Sequence, residues 1–176
     1  MASHRSSEPA PDPAAEELDR LRAIVLGTSD RPGLVEVLPR LQRGHRKELR
    51  RREHWTSGDL ARHPEPREVI RSRRKPGNVD QHGRFIQIFD ARRELVEDIH
   101  ENRVVRHAAE SVRRRLLALD EPEAVALLGQ LEAAMAQAPF LRTVGELRSR
   151  PTEPTATLAG DPLYRAVFQS WLELAR

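Results

Sequence analysis

The residues of this chain best equipped for chemistry are three basic clusters, a scatter of histidines and a few paired carboxylates. The first cluster runs from Arg43 to Arg52 and holds Arg43, Arg46, Lys47, Arg50 and Arg51. The second is Arg71, Arg73, Arg74 and Lys75, and the third is Arg113 to Arg115. Cations at this density neutralise nucleic-acid phosphates and release counterions, and the planar fork of arginine bonds two phosphate oxygens at once. A solvated helix face, with i,i+4 pairing to Glu48, Glu53 and Glu110, is the other reading of the same residues. Both readings stand for the first two clusters, and the third fits the solvated face. Trp55, beside the first cluster, either stacks on a base or packs in a core.

Other chemistries find little support. Neither GxxxxGK[ST] nor GxGxxG occurs, which argues against nucleotide hydrolysis by this chain alone. His45, His54, His63, His82, His100 and His107 are dispersed. His100 and His107, seven apart, share a helix face without a third ligand at useful spacing, so no metal site is assigned. Glu94 with Glu97, and Asp98 with Glu101, read more simply as strand-end and capping groups than as acid/base pairs. A PD-(D/E)XK nuclease needs a lysine two residues after an acid. Lys47 follows His45, and Lys75 follows Arg73, at that distance, and neither leader is acidic. No nucleophile elbow starts a serine triad, and with no cysteine there are no disulfides or thiolate metal sites. No catalytic residue and no cofactor is assigned.

The elements that must position these residues come from 176 residues, enough for one domain or one domain with a tail. The 30 Lys and Arg are nearly balanced by 27 Asp and Glu, for a formal charge of +3, so overall basicity argues only weakly for a polyanionic partner. No apolar run approaches the roughly 20 residues that span a bilayer. Met1 to Pro13 lacks the apolar centre of a secretory signal. A soluble cytoplasmic protein with no membrane partner is expected.

Residues 1–13, rich in Ser, Pro and Ala, predict a disordered tail, and 14–82 a helical and loop region. Ala14 to Leu26 suits a helix with Leu18, Leu21, Val25 and Leu26 as its apolar side. Asp30 is placed to cap a second helix from about Pro32 to Arg52, with a break or kink at Pro39. Glu53 to His82 reads as turns and loop, with a short helical piece around Pro66 to Arg73. Arg84 to Phe89 is a strand candidate that Asp90 to Arg93 would turn back onto Glu94 to Glu97, a small β-hairpin over about 84–97. The strongest helix follows over about 98–119. Val105, Ala109, Val112, Leu116 and Leu119 form one stripe, widened by Val104 and Ala108, and Asp98 with Glu101 suits a capping box. A second helix over about 122–137, capped by Asp120 with Glu123 in the box position, carries Ala124, Leu128, Leu131 and Met135, with Val125, Leu127 and Ala134 beside them. The two should pack as an antiparallel helical hairpin. Phe140, Leu141, Val144 and Leu147 tuck against it, Arg150 to Gly160 is a linker, and a C-terminal amphipathic helix presents Tyr164, Val167, Phe168, Trp171 and Leu172. The fold class is therefore mainly α.

Three short motifs in order carry a family resemblance. They are Asp98-x-x-Glu101-Asn102-Arg103, Phe140-Leu141-x-x-Val144, and Tyr164-Arg165-x-Val167-Phe168-x-x-Trp171. Over about Glu97 to the C-terminus they resemble the helical domain of unknown function that precedes the PD-(D/E)XK nuclease in McrC-like proteins of McrBC modification-dependent restriction systems. The resemblance makes 83–176 that domain, truncated at its C-terminus and without the nuclease part. It implies structural roles for Asp98, Glu101, Asn102, Arg103, Tyr164, Arg165 and Trp171. It further implies a non-catalytic part that positions a nuclease and contacts DNA, an McrB-like AAA+ GTPase or a separate nuclease chain. Two other readings stand beside it: a stand-alone Arg-rich DNA-binding module, and a protein-interaction scaffold that would leave the Tyr164 to Leu172 face exposed.

Overall fold

The computed structural model describes residues 12–61, 64–148 and 153–174. In chain order the elements are α1 (Pro13–Leu26), β1 (Gly27–Thr28), β2 (Arg31–Pro32), α2 (Leu34–Gly44), β3 (Glu48–Ser57), a single 3₁₀ turn (Gly58–Leu60), α3 (Pro66–Arg73), β4 (Gln87–Val96), α4 (His100–Ala118), α5 (Pro122–Ala136), α6 (Phe140–Thr143), α7 (Ala156–Gly160) and α8 (Pro162–Leu174). The protein is mainly helical with two small antiparallel sheets, β1 with β2 and β3 with β4. It divides into a helical unit, the chain up to Arg46 and from Glu97 onward, and a ribbon unit, Lys47–Val96. The boundaries therefore fall at 46/47 and 96/97, not at 82/83, because β4 takes β3 as its partner.

In the helical unit one apolar cluster joins every long helix. Leu21, Ile24 and Val25 of α1 meet Leu34, Val37, Leu38 and Leu41 of α2. The α4 stripe (Val104, Val105, Ala108, Ala109, Val112, Leu116) is buried as its spacing predicts, with Leu119 partly buried at its end. α5 packs on α4 and buries Ala124, Leu127, Leu131 and Ala134. Leu128 and Met135 sit at the margin and Val125 is exposed. α8 buries Tyr164, Val167, Phe168 and Trp171, the opposite of what a scaffold with that face exposed requires. No helix among the described residues is long and apolar enough to cross a membrane.

Several local expectations are corrected. α2 starts at Leu34 with Gly33 as its N-cap, while Asp30 accepts from the Ser29 hydroxyl and caps nothing. The helix continues through Pro39. Burying four aliphatic side chains at about 1.5–3 kcal/mol each outweighs an interior proline's cost of about 3 kcal/mol. α2 ends at Gly44, so the last residues of the predicted Pro32–Arg52 helix, from Glu48 to Arg52, are strand instead. Leu26 is exposed and Ile24 takes its place in the core. The expected turn at Asp90 to Arg93 does not form, because those residues lie inside β4, which pairs with Glu48 to Ser57 over its whole length. The α4 N-cap is Ile99, not Asp98, and the α5 N-cap is Glu121, not Asp120, neither with a side-chain cap bond. Glu123 instead bonds Arg22 of α1 at 2.5 Å. Part of the expected linker forms α7, capped by Thr155. The expected tail lies outside the described residues through residue 11, and Asp12 and Pro13 already belong to the start of α1, whose first amides Asp12 caps. His63, residues 149–152 of the linker region and the last two residues of the C-terminal helix also lie outside them.

Candidate nucleic-acid interface

The ribbon unit is built on ten antiparallel pairs, from Glu48 opposite Val96 to Ser57 opposite Gln87. Cross-strand partners share a face and successive residues alternate. Leu49 with Leu95, Arg51 with Arg93, and Trp55 with Phe89 therefore lie on one face. Arg50 with Glu94, Arg52, and His54 with Asp90 lie on the other. β3 is exposed from Glu48 through Trp55 on both faces. The acids are spread among the arginines: Arg50 bonds Glu48 at 2.8 Å, Arg51 approaches Glu53 at 3.2 Å, and Arg52 reaches Glu94 at 3.3 Å. These are strand contacts between neighbours two apart or diagonal across the ladder, not the i,i+4 helix pairs expected.

Beyond Trp55 the ribbon is covered by α3, whose start carries a Glu65/Glu68 capping box. The covering is held mostly by hydrogen bonds. Ser72 Oγ donates to Glu68 O at 2.7 Å and accepts from Phe89 N at 2.8 Å. Asn78 donates to Ser72 O and Gln87 O at 2.9 and 2.6 Å and accepts from Gln87 N at 2.9 Å. Lys75 Nζ bonds Gln87 Oε1 at 2.6 Å and sits 4.3 Å above the Trp55 ring, while the Arg71 guanidinium lies 3.6 Å above Phe89. Arg71 on α3 and Lys75 just past its end are thus held on aromatic faces. Arg73 and Arg74 are exposed, with no side-chain bond to any described residue.

Charge is segregated along the chain. The Lys47–Val96 unit holds thirteen Lys and Arg against eight Asp and Glu, a formal +5, where the whole chain carries +3. The remainder is therefore −2. The structure brings Lys47, Arg50, Arg51, Arg71, Arg73, Arg74 and Lys75 into the ribbon unit, and assigns Arg43 and Arg46 to the helical unit. Arg52, which closes the first cluster, lies in the ribbon unit as well, and Arg93, opposite Arg51, also belongs to the basic surface and was not singled out in the sequence; the cue was the strand register, which only pairing reveals. Trp55 is 37% exposed and packs edge-on to Phe89 at 5.5 Å. The third cluster is taken up by the fold: Arg113 bonds Glu132 at 2.9 Å and Arg115 bonds Glu17 at 2.8 Å.

In the helical unit, α4 and α8 bring Asn102 and Tyr164 together. Both are fully buried. Tyr164 donates to Asn102 Oδ1 at 2.5 Å and accepts from Arg46 N at 2.9 Å. Asn102 Nδ2 donates to two backbone oxygens, Arg46 O at 2.9 Å and Glu97 O at 2.7 Å. Burial pushes the Tyr164 phenol up to about 12, against a smaller opposing effect of the Arg46 amide. Asp98, rather than capping, takes a two-pronged bond from Arg103 (2.7 Å each) and one from Gly145 N at 2.7 Å. That carboxylate holds Arg103 above the usual arginine range. Glu101 accepts from Thr155 Oγ1 at 2.8 Å. Trp171 is buried against Phe168, whereas Arg165 is exposed.

His45 stacks on Phe140 with its Nε2 3.0 Å from Glu97 Oε1. Among the described residues no group of three His, Asp or Glu is arranged to hold a metal. No family model matches the chain, and no curated protein and no solved structure matches it.

Proposed function

We propose that this chain is a non-catalytic nucleic-acid-binding protein whose Lys47–Val96 unit engages the phosphate backbone. The observation that carries the reading is the charge segregation: +5 on the ribbon unit against −2 on the rest. Concentrated cations on one module are the electrostatic footprint of a phosphate partner, whereas a merely solubilising surface intersperses its signs over the whole chain. The anchored pair Arg71 and Lys75 stiffens α3, so that Arg73 and Arg74 meet phosphates with little further ordering cost. The test is fluorescence anisotropy of labelled oligonucleotides against salt. Four phosphate contacts give a slope of log K against log salt of about −3 to −4, and Arg73→Ala with Arg74→Ala lowers its magnitude by about 2. Absence of binding at low salt overturns the reading.

A second reading is favoured by the meeting of Asp98, Asn102, Arg103 and Tyr164 within one helical unit. It takes that unit as the helical domain of an McrC-like restriction or defence protein, cytoplasmic, positioning a nuclease beside DNA or an AAA+ GTPase partner. It is tested at the gene. Nuclease acids and a lysine encoded within the next couple of hundred codons, or an adjacent McrB-like gene, support it; neither being present removes it.

A further inference from the structure

We infer that a second copy of this chain docks on the bare edge of β3, its own β3 running antiparallel about a two-fold axis, so that two ribbons join into one sheet. The evidence begins with how unequally the ribbon treats its two edges. Asn78 bonds both the N–H and the C=O of Gln87, and Ser72 Oγ accepts from Phe89 N. These side chains stand where a next strand would lie along the start of β4, against which α3 also packs. They also show which residues turn their backbone groups outward. Rungs alternate along an antiparallel ladder. Leu49, Arg51, Glu53 and Trp55, in rungs of the same parity as Gln87 and Phe89, therefore direct theirs away from β4.

No described residue covers that edge. Glu48 through Trp55 are exposed, and no described backbone group outside the ribbon bonds the outer edge of β3. Unpaired N–H and C=O groups in a row are a template for another strand, which proteins ordinarily blunt. A two-stranded ribbon is also marginal alone and gains from further strands.

Charge selects the occupant. Outward-facing residues must meet one another, so β3 can pair with its own copy only in registers two residues apart. With Arg52 on the two-fold axis, Arg51 lies opposite Glu53 of the second copy, and Leu49 opposite its Trp55, each twice by symmetry. Within one chain Arg51 and Glu53 are 3.2 Å apart, so charges of alternating sign meet around the axis. Opposite charges directly across a strand pair stabilise it, and the flanking apolar pairs remove surface from water, Leu49 being 56% exposed in the single chain. Arg52 meets its own copy on the other face, where each chain brings Glu94, 3.3 Å from its Arg52. Slipping by two residues sets Arg51 against itself and Arg50 against Arg52 in one direction, and Glu53 against itself in the other. A purely protective row of like charges would repel in every register; this one matches in one.

The experiment is sedimentation of the full chain over a range of concentrations, where the mass should rise to twice that of the chain. Arg51→Glu and Glu53→Arg each set like charges opposite and should weaken self-association about tenfold or more. Mixed together, the two variants regain complementary partners and should form a heterodimer, which misfolded chains could not do. The chain has no cysteine, so Arg52→Cys places a single thiol at the axis, where paired Cα atoms are about 4.5 Å apart, within disulfide reach. Mild oxidation should link it into a dimer faster than Arg50→Cys, whose two copies lie farther from each other. A parent that stays monomeric at every concentration, a dimer indifferent to both reversals, a mixture that stays monomeric although both variants keep the parental circular dichroism, or equal linking of the two cysteine variants overturns the inference. Each of these leaves the nucleic-acid reading untouched.

Discussion

At the scale of single residues the most consequential group is the Asn102 carboxamide. It is buried and spends its donors on Arg46 O and Glu97 O and its acceptor on the Tyr164 hydroxyl. Asn102→Ala strands these partners away from water, and each buried polar group left unpaired costs roughly 1–3 kcal/mol. Urea unfolding followed by Trp171 fluorescence should show that loss; a variant within about half a kcal/mol of the parent would refute the clamp. Tyr164→Phe strands fewer groups and should cost about 2 kcal/mol. Tyr164 also sets a pH limit. Its folded value, raised to about 12 by burial, lies above the ordinary 10. Below pH 10 both states keep the proton and the contribution is whole. Above pH 10 the unfolded chain ionises first, and stability falls by roughly 2–3 kcal/mol as the pH approaches 12. Tyr164 is the chain's one tyrosine, so phenolate absorbance in the native protein reports it alone, and an inflection near pH 10 would contradict its burial.

At the scale of elements, two glycines answer differently to the same change. A Cβ on Gly33, at the start of α2, would lie 2.3 Å from the backbone of Val25, Leu26 and Gly27, so Gly33→Ala must push α2 from α1. It should cost about 2–3 kcal/mol or more, as overpacking does. Gly129, exposed in the middle of α5, has open space around it, and Gly129→Ala should stabilise by about 0.5–1 kcal/mol through helix propensity. Thermal midpoints of the two variants moving in the same direction would contradict this.

The long helices were legible in the sequence because their apolar spacing is continuous, as in Val105, Ala109, Val112 and Leu116, and their burial follows it. β3 was not, because Glu48 to Glu53 has almost no apolar residue to set a period. What makes it a strand is a partner forty residues away whose Ile88, Phe89 and Val96 are strand formers. The capping boxes at Asp98 and Asp120 misled for a related reason: long-range bonds, Arg103 and Gly145 for Asp98, outcompete a local amide. Of the candidate interface, α3 and its cations were readable from the Pro66 start and arginine density, whereas Arg93's role depends on a register the sequence does not print.

At the scale of the whole molecule, the two units are held by different forces. The apolar cluster lies entirely in the helical unit, while the ribbon unit relies on the Ser72 and Asn78 hydrogen bonds with few buried apolar side chains. The ribbon unit should therefore open first. With Trp55 in one unit and Trp171 in the other, single-tryptophan variants separate the two transitions, and Trp55 should report the lower midpoint. A single coincident transition would show the units to be one cooperative body.

The Asn102 clamp has one more consequence. Because one nitrogen holds the carbonyls of both Arg46 and Glu97, the chain leaves the helical unit and returns to it at the same spot. Topologically, Lys47–Val96 is an insertion, and its excision asks only that a short turn close a gap already pinned shut, a small entropic change. A chain with Lys47–Val96 replaced by a few glycines should keep its helical circular dichroism and its Trp171 environment, and should lose nucleic-acid affinity entirely. The ligand-binding part would then be an exchangeable cassette on a helical chassis, free to change its arginines without disturbing the core that carries it.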